Sequence, residues 1–451
     1  MTSHFNLKLL PLLLAAALVA TPALSHAEDL MEAYQQARLS DPVLAQADAQ
    51  RLQAAAGVGV SRAALLPTLS AGVDFTQAHG NHDTLIDPST GEVIELGHTR
   101  SNSLTARLSQ TLFNYSDYAN LAASRSSAQA QAAQYQAAQQ NLLVRVAQAY
   151  FNVLTAEDDV SFAEAQEKAL DRQLDQAQQR YKVGLSAITD VNEAKAQYDA
   201  ARANTITSKN TLADLREGLS QITGKPLGTL EKLRDDLPLT PPSPNSGKPW
   251  VDMALQQNPT ILAQQYTVQA SKHDIHAARA NHLPTLAATV SYSRTPSWTH
   301  FGNQHSRNEN TAVGISLSVP IFNGGLTHAR VKQSIYQRDA ALDVLEQQRR
   351  QIIRGTRNAF RLVVAGISEV DARKQAVLSA KSALDATQAG FEVGTRNIID
   401  VLNSQQQLFQ ARNNYSLARH NFIINKLLLK QSAGSIDVKD LQAVNALLVA
   451  E

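Results

Sequence analysis

Two stretches of this chain are copies of one another. Val183-Gly184-Leu185-Ser186-Ala187-Ile188-Thr189-Asp190-Val191-Asn192 and Val393-Gly394-Thr395-Arg396-Asn397-Ile398-Ile399-Asp400-Val401-Leu402-Asn403 lie 210 positions apart in a chain of 451 residues. In each, a helical pattern rich in Gln and Ala meets a glycine and restarts near an aspartate. Gly takes the left-handed conformation that ends a helix, and Asp six residues later can cap the next one. Each copy reads as the tip of a helical hairpin. The same relation recurs elsewhere. Asp41-Pro42 matches Asn258-Pro259, Leu66-Pro67-Thr68-Leu69 matches Leu283-Pro284-Thr285-Leu286, Phe113-Asn114 matches Phe322-Asn323, and Gly224 matches Gly434. The offset falls from 217 to 209 between Leu69 and Phe113, so the second copy has a loop shorter by eight residues there. Self-similarity held over such distances means two copies of one structural unit.

Within each unit the hydrophobic period changes. Residues Glu28 to about Leu66 carry apolar positions near a period of 3.6, with a break or helix start at Asp41-Pro42. After Pro67 the period becomes two. Leu69, Ala71, Val73 and Phe75 alternate with Ser70, Gly72, Asp74 and Thr76, and Leu104, Ala106, Leu108 and Leu112 alternate with Thr105, Arg107, Ser109 and Thr111. The second unit repeats this with Leu286, Ala288, Val290 and Tyr292, then with Val313, Ile315, Leu317, Val319 and Ile321. Strands are expected at about 68–77, 102–113, 285–294 and 311–322. With one face apolar and the other small or polar, they fit transmembrane β-strands; a half-buried soluble sheet would show the same alternation.

Long helices are expected at about 115–181, 190–223, 326–391 and 400–433. The first would be roughly 100 Å long at about 1.5 Å per residue. Helices of that length imply coiled-coil packing, and their abundant Ala permits close approach. The first unit then spans 28–236, a proline-rich linker 237–249, and the second unit 250–451, ending in a short amphipathic tail.

Composition narrows the function. The formal charge is +1 and aromatics make up 5% of the chain, which speaks against a nucleic-acid partner and against a dense globular core. Lys8, the apolar run Leu9 to Ala20 and Ser25-His26-Ala27 make the first 27 residues an expected secretory signal. No later apolar run is long enough for a membrane helix. The chain has no cysteine, which excludes a lipid-anchored N-terminal Cys. His79, His82, His98, His300 and His305 fall in the polar loops between paired strands without a metal-ligand spacing, so no metal is expected. Gly224-Lys225 is followed by Pro226 and makes no phosphate loop, and the acid pairs Asp158-Asp159 and Asp235-Asp236 sit in ordinary helical surface. No catalytic site and no cofactor are expected.

Four strands cannot close a membrane barrel, and an open edge in lipid leaves backbone groups unpaired. Several chains must share one barrel, with two giving eight strands and three giving twelve. The repeated unit resembles the TolC family of outer-membrane efflux and secretion ducts, most specifically in Val393-Gly394-Thr395-Arg396 and Asp400-Val401-Leu402, and the resemblance covers essentially the whole chain after the signal. It implies a mixed, mainly α fold, internally duplicated. Long coiled-coil helices would form a trimeric α-barrel continuous with a twelve-stranded β-barrel, four strands per chain. It implies the outer membrane of a Gram-negative bacterium, contact with outer-membrane lipid, a long periplasmic extension, a periplasmic adaptor, and an inner-membrane ABC or proton-driven pump.

The resemblance also assigns residues. Val183, Gly184, Leu185, Val393, Gly394 and Thr395 match adaptor-docking tips, although a plain helix stop would also need these glycines. Asp400 matches an aspartate ringing the pore entrance, while Asn403 stands where the family often has a second one. Asp190 and Arg396 match a gate lock, and Phe391 stands where a tyrosine usually reinforces it. A periplasmic coiled-coil scaffold and a permanently open porin are the competing readings.

Overall fold

The computed structural model describes residues 28–78, 84–86, 89–95, 99–226, 228–299 and 305–449. The expected signal and His79, His82, His98 and His300 lie outside them, as does the side chain of His305. In chain order the elements are α1 (Leu30–Ser40), α2 (Pro42–Ala63), β1 (Thr68–Ala78), β2 (Thr84–Ile86), β3 (Val93–Glu95), β4 (Thr99–Phe113), α3 (Tyr115–Lys182), α4 (Ile188–Thr223), β5 (Lys232–Leu233), α5 (Gly247–Gln257), α6 (Pro259–Ala280), β6 (Thr285–Thr299), β7 (His305–Ser318), α7 (Leu326–Glu392), α8 (Ile398–Ala433), α9 (Val438–Asn445) and β8 (Leu448–Val449). The chain is mainly helical and its two halves repeat one order of elements.

The Asp41-Pro42 and Asn258-Pro259 pairs start helices. Asp41 Oδ2 accepts from the Leu44 N–H at 2.7 Å and Asn258 Oδ1 from the Thr260 N–H at 3.0 Å, with proline in the first turn of α2 and α6. Each junction meets the end of its own unit's 36-residue helix, α4 or α8. Ser40 Oγ donates to the Thr223 carbonyl at 2.5 Å, and Asn258 Nδ2 donates to the Ser432 carbonyl at 3.0 Å. A Cβ on Gly434 would lie 2.7 Å from the Asn258 backbone, and one on Gly224 would lie 2.7 Å from Ser40 Cβ. A short helix and a medium one thus stack end to end beside each long helix, α3 or α7.

Four strands form one antiparallel sheet in the order β1-β4-β6-β7. Its register sorts the side chains by face. Leu69, Leu108, Val290 and Val313 make one continuous rung, and Leu286 and Leu317 another on the same face. On the other face the rungs are Thr68, Ser109, Thr289 and Gly314, then Gly72, Thr105, Ser293 and Asn310. β1 and β7 are the two edges. All four strands join helices at one end: α2 leads into β1, β4 into α3 through Asn114, α6 into β6, and β7 toward α7. β7 begins and ends earlier than alternation suggested, because Thr285, the first residue of β6, pairs with Ser318 and leaves Val319 to Phe322 without a partner strand. Pro320 also has no N–H to offer a ladder.

The core sits halfway along the long helices. Leu142, Val146, Tyr150, Phe151 and Val153 of α3 are fully buried there under α1, α9 and α8. Tyr150 Oη donates to the carbonyls of Glu28 and Glu231 at 3.0 and 2.9 Å. The tail does more than cap the second unit, since β8 pairs with β5 and Asn445 Nδ2 donates to Asp29 Oδ2 at 2.9 Å. Trp250 of α5 donates from Nε1 to the Pro244 carbonyl at 2.9 Å, which ties the proline-rich linker to α7 and α8. Away from this belt the buried positions of α3 are mostly alanine, as close helix pairing requires.

Candidate functional site

At the end of the helices away from the sheet, both tips are built alike. α3 closes with the Gly184 N–H on the Tyr181 carbonyl at 3.0 Å and the Leu185 N–H on the Arg180 carbonyl at 2.8 Å. α7 closes with the Gly394 N–H on the Phe391 carbonyl at 3.2 Å and the Thr395 N–H on the Gly390 carbonyl at 2.8 Å. This pair of bonds needs a left-handed residue just past the helix, and Gly184 and Gly394 have φ of 77° and 78°. A Cβ on either would meet nothing within 4 Å. The glycines are therefore required by the turn itself, and the space around them is open. Apolar side chains flank that space: Val183 is 69% exposed, Leu185 69% and Val393 75%.

The aspartates do not cap as the sequence suggested. α4 and α8 start two residues earlier, which puts Asp190 and Asp400 inside the first turn. Asn397 is the cap of α8. Its Oδ1 accepts from the Asp400 N–H at 2.8 Å, and Asp400 Oδ2 accepts from the Asn397 N–H at 3.4 Å. Ala187 at the start of α4 gives no side-chain bond, and Asp190 Oδ2 instead accepts from Ser186 Oγ at 2.6 Å. Arg396 NH1 lies 3.9 Å from Asp400 Oδ2, so within one chain its acid is Asp400 and not Asp190. Asn403 is exposed one turn further along α8.

Two contributors escaped the sequence. Gly390 is where close approach does occur: a Cβ there would lie 2.8 Å from Arg396 Cγ and 3.2 Å from Thr395 Oγ1. Arg180 lies with its guanidinium carbon 5.1 Å from the centre of the Phe391 ring, a cation–π contact between the two hairpins. Phe391 also packs on the small cluster of Leu170, Ala201, Ile398 and Leu402, joined by Tyr198. Arg180 and Gly390 are each other's counterparts in the duplication, at the helical position that closes the turn.

Further up the same helices lies a buried polar group of residues. Thr155 Oγ1 and His420 Nδ1 are 2.8 Å apart, Ser416 Oγ donates to Asp158 Oδ2, and Arg419 donates to the Leu233 and Arg234 carbonyls of the β5 segment. Burial, with the Arg419 charge second, pushes the His420 imidazole down to about 3. Burial raises the Asp158 and Asp159 carboxyls. Among the described residues no cluster of three or more His, Asp or Glu could hold a metal, and no helix is long and apolar enough to cross a membrane.

Comparison with known proteins fits this architecture. The family described as outer membrane efflux protein matches residues 33–225 and 250–435. The chain is 38% identical over 448 residues to the outer membrane protein TolC of Escherichia coli, covering 97% of this chain and 88% of that one. It is 28% identical to the alkaline protease secretion protein AprF of Pseudomonas aeruginosa, covering 93% and 87% of the two chains. The crystal structure of the Campylobacter jejuni CmeC outer membrane channel superposes with a TM-score of 0.75 at 18% identity, covering 94% of this chain and 90% of that one. With one matched segment in each half of the chain, and 38% identity to a relative over 97% of its own length, the chain belongs to the outer membrane efflux protein family.

Proposed function

We propose that three copies of this chain share one twelve-stranded barrel in the outer membrane, and that their helices continue it as a tunnel across much of the periplasm. The observation that carries this reading is the four-stranded sheet with one apolar face, two open edges, and helices leaving all four strands at one end. Open edges in lipid must be paired by further chains. The resulting duct takes cargo from an inner-membrane ABC or proton-driven pump through a periplasmic adaptor. Energy comes from that pump. The names of the relatives point to two cargo classes, small efflux substrates and secreted polypeptides.

The exposed apolar side chains Val183, Leu185 and Val393, set around open glycine turns with Thr395, suit docking by the adaptor's helices. Asp400 faces the pore axis with its unshared oxygen, and three such carboxylates favour cations. Asn403 supplies no second ring, which weakens that preference. Arg396 of one chain reaches Asp190 of the next and holds the entrance shut, and docking breaks this contact. An exposed ion pair contributes only about 0–1 kcal/mol, but three around a ring bias a two-state gate.

Single-channel conductance of detergent-extracted protein in a planar bilayer tests the reading, with native protein beside Arg396→Ser. A small, cation-selective native conductance that rises in the variant is expected. A large native conductance unchanged by the substitution would retire the lock and favour a permanently open porin. Release of the protein by salt alone, with no channel, would favour the periplasmic scaffold.

A further inference from the structure

The apolar face of the sheet ends in charge. Leu286 and Leu317 share a rung with Phe113 at the helix-joined end of the strands. Eight residues along β6 the same face carries Arg294, in a rung with Val73, Leu104 and Glu309. At about 3.3 Å per residue and a tilt of about 40°, these rungs are roughly 20 Å apart along the membrane normal. The apolar band of a membrane barrel is about 25 Å tall, so Arg294 stands at its far boundary, where headgroups begin. Arg307 follows on the same face two residues from Glu309, and Arg100 of β4 lies on that face four residues from Leu104. The single Glu309 carboxylate serves both neighbours: its Oε1 is 3.2 Å from Arg294 Nε and 3.1 Å from Arg307 Nε. Both contacts engage Nε, and a guanidinium carries further N–H donors in a fork that matches phosphate. All three arginines are at least partly exposed, and Phe75, one rung above Val73, is 77% exposed beside them. The one acid of β1, Asp74, is on the opposite face, where Ser103 Oγ donates to it at 3.3 Å.

We propose that Arg294, Arg307 and Arg100 form a binding site for the phosphate groups of the glycolipid in the outer leaflet. The proposal rests on the reading that this sheet spans the outer membrane. It adds a site and a ligand class to that reading. Two guanidiniums around one carboxylate leave positive charge that lipid tails cannot stabilise, at the depth where glycolipid phosphates lie. Glu309 holds the two arginines in place and also limits their net charge.

The test uses the full chain, extracted from outer membranes in a mild non-ionic detergent. Retained phosphoglycolipid per chain is counted by native mass spectrometry for the native protein, the double variant Arg294→Gln/Arg307→Gln, and Glu309→Gln. An arginine near a membrane surface contributes about 1 kcal/mol, so the double variant, losing about 2 kcal/mol, is expected to retain roughly thirty-fold less. Glu309→Gln is expected to retain more than native. Thermal midpoints are then compared with added bisphosphorylated lipid A, the same lipid with its phosphates removed, and inorganic phosphate. Only the first should raise the native midpoint. Equal retention by all three proteins, equal stabilisation by the dephosphorylated lipid, or stabilisation by inorganic phosphate alone would each overturn the proposal. Unchanged single-channel conductance shows that the variants fold. If the protein leaves membranes without detergent, the spanning reading itself fails; detergent-dependent extraction with no change in retention sinks the lipid site alone.

Discussion

Asp41 and Asn258 occupy matching places in the two units and solve the same problem with different chemistry. The Asp41 side chain is 2% exposed, and Arg145 forks it at 2.6 and 3.2 Å while it also accepts from the Leu44 N–H. Asn258 is neutral and gives its amide N–H to Ser432. Asp41→Asn brings in the second unit's residue without its partner, and should lower stability by about 1–3 kcal/mol. Arg145→Met strands a buried carboxylate and should cost more, about 3–5 kcal/mol. Denaturation midpoints of the detergent-solubilised protein check the order; a milder Arg145→Met would mean that water reaches Asp41. His420 makes a second prediction. Its folded value of about 3 lies below the ordinary 6.5, so unfolding takes up a proton between them. Its contribution is fully present above pH 6.5 and fades as pH falls toward 3. The slope approaches about 1.4 kcal/mol per pH unit at most. The neighbouring Asp158 and Asp159, raised by burial, work in the opposite sense by favouring protonation in the fold. His420→Gln should therefore flatten the loss of midpoint between pH 7 and 5, or reverse it. An unchanged pH profile would place the sensitivity elsewhere.

At the scale of elements, two glycines with the same φ have different reasons. Gly394 and Gly434 have φ of 78° and 75°, but only Gly434 meets backbone, with Asn258 and Gln257 atoms within 2.8 Å of a would-be Cβ. Gly394→Ala should cost about 1–2 kcal/mol from left-handed strain alone. Gly434→Ala must also push α8 off the α6 junction, and should cost clearly more or prevent assembly. Denaturation midpoints of the detergent-solubilised protein separate the two, and equal effects would refute the close contact. The sequence revealed both glycines and the match of Gly434 to Gly224, because a left-handed helix end leaves a local signature. It did not reveal that Gly434 touches Asn258, since nothing local encodes a contact between residues so far apart. The same limit hid Arg180 over Phe391, which joins two hairpins. Strand centres were legible because one face of the sheet is apolar, which imposes a period of two. The ends of β7 were not, because its partner β6 decides where pairing stops. Helix starts shifted past Asp190 and Asp400 because Asp serves the first turn as well as the cap.

For the whole molecule, the entrance and the sheet pose different questions. Phe391 lacks the hydroxyl that would bond across hairpins, and its hold is the Arg180 contact and a small apolar cluster. In the proposed gate, Phe391→Tyr should tighten the closed state and lower resting conductance. Conductance equal to or above native would remove Phe391 from the gate. At the other end, β1 and β7 are the two edges of the sheet, which the proposed barrel completes with neighbouring chains. In the proposed trimer no chain owns a working barrel: three gene products share each one, and a defective copy is not simply absent but present in its partners' pore. If a cell made equal amounts of native chain and of a chain whose β7 edge still pairs but whose tunnel is blocked, only about one assembly in eight would be free of the defect. Damage to the helices should behave as genetically dominant, whereas damage that stops an edge from pairing should be recessive, because such chains never enter the ring.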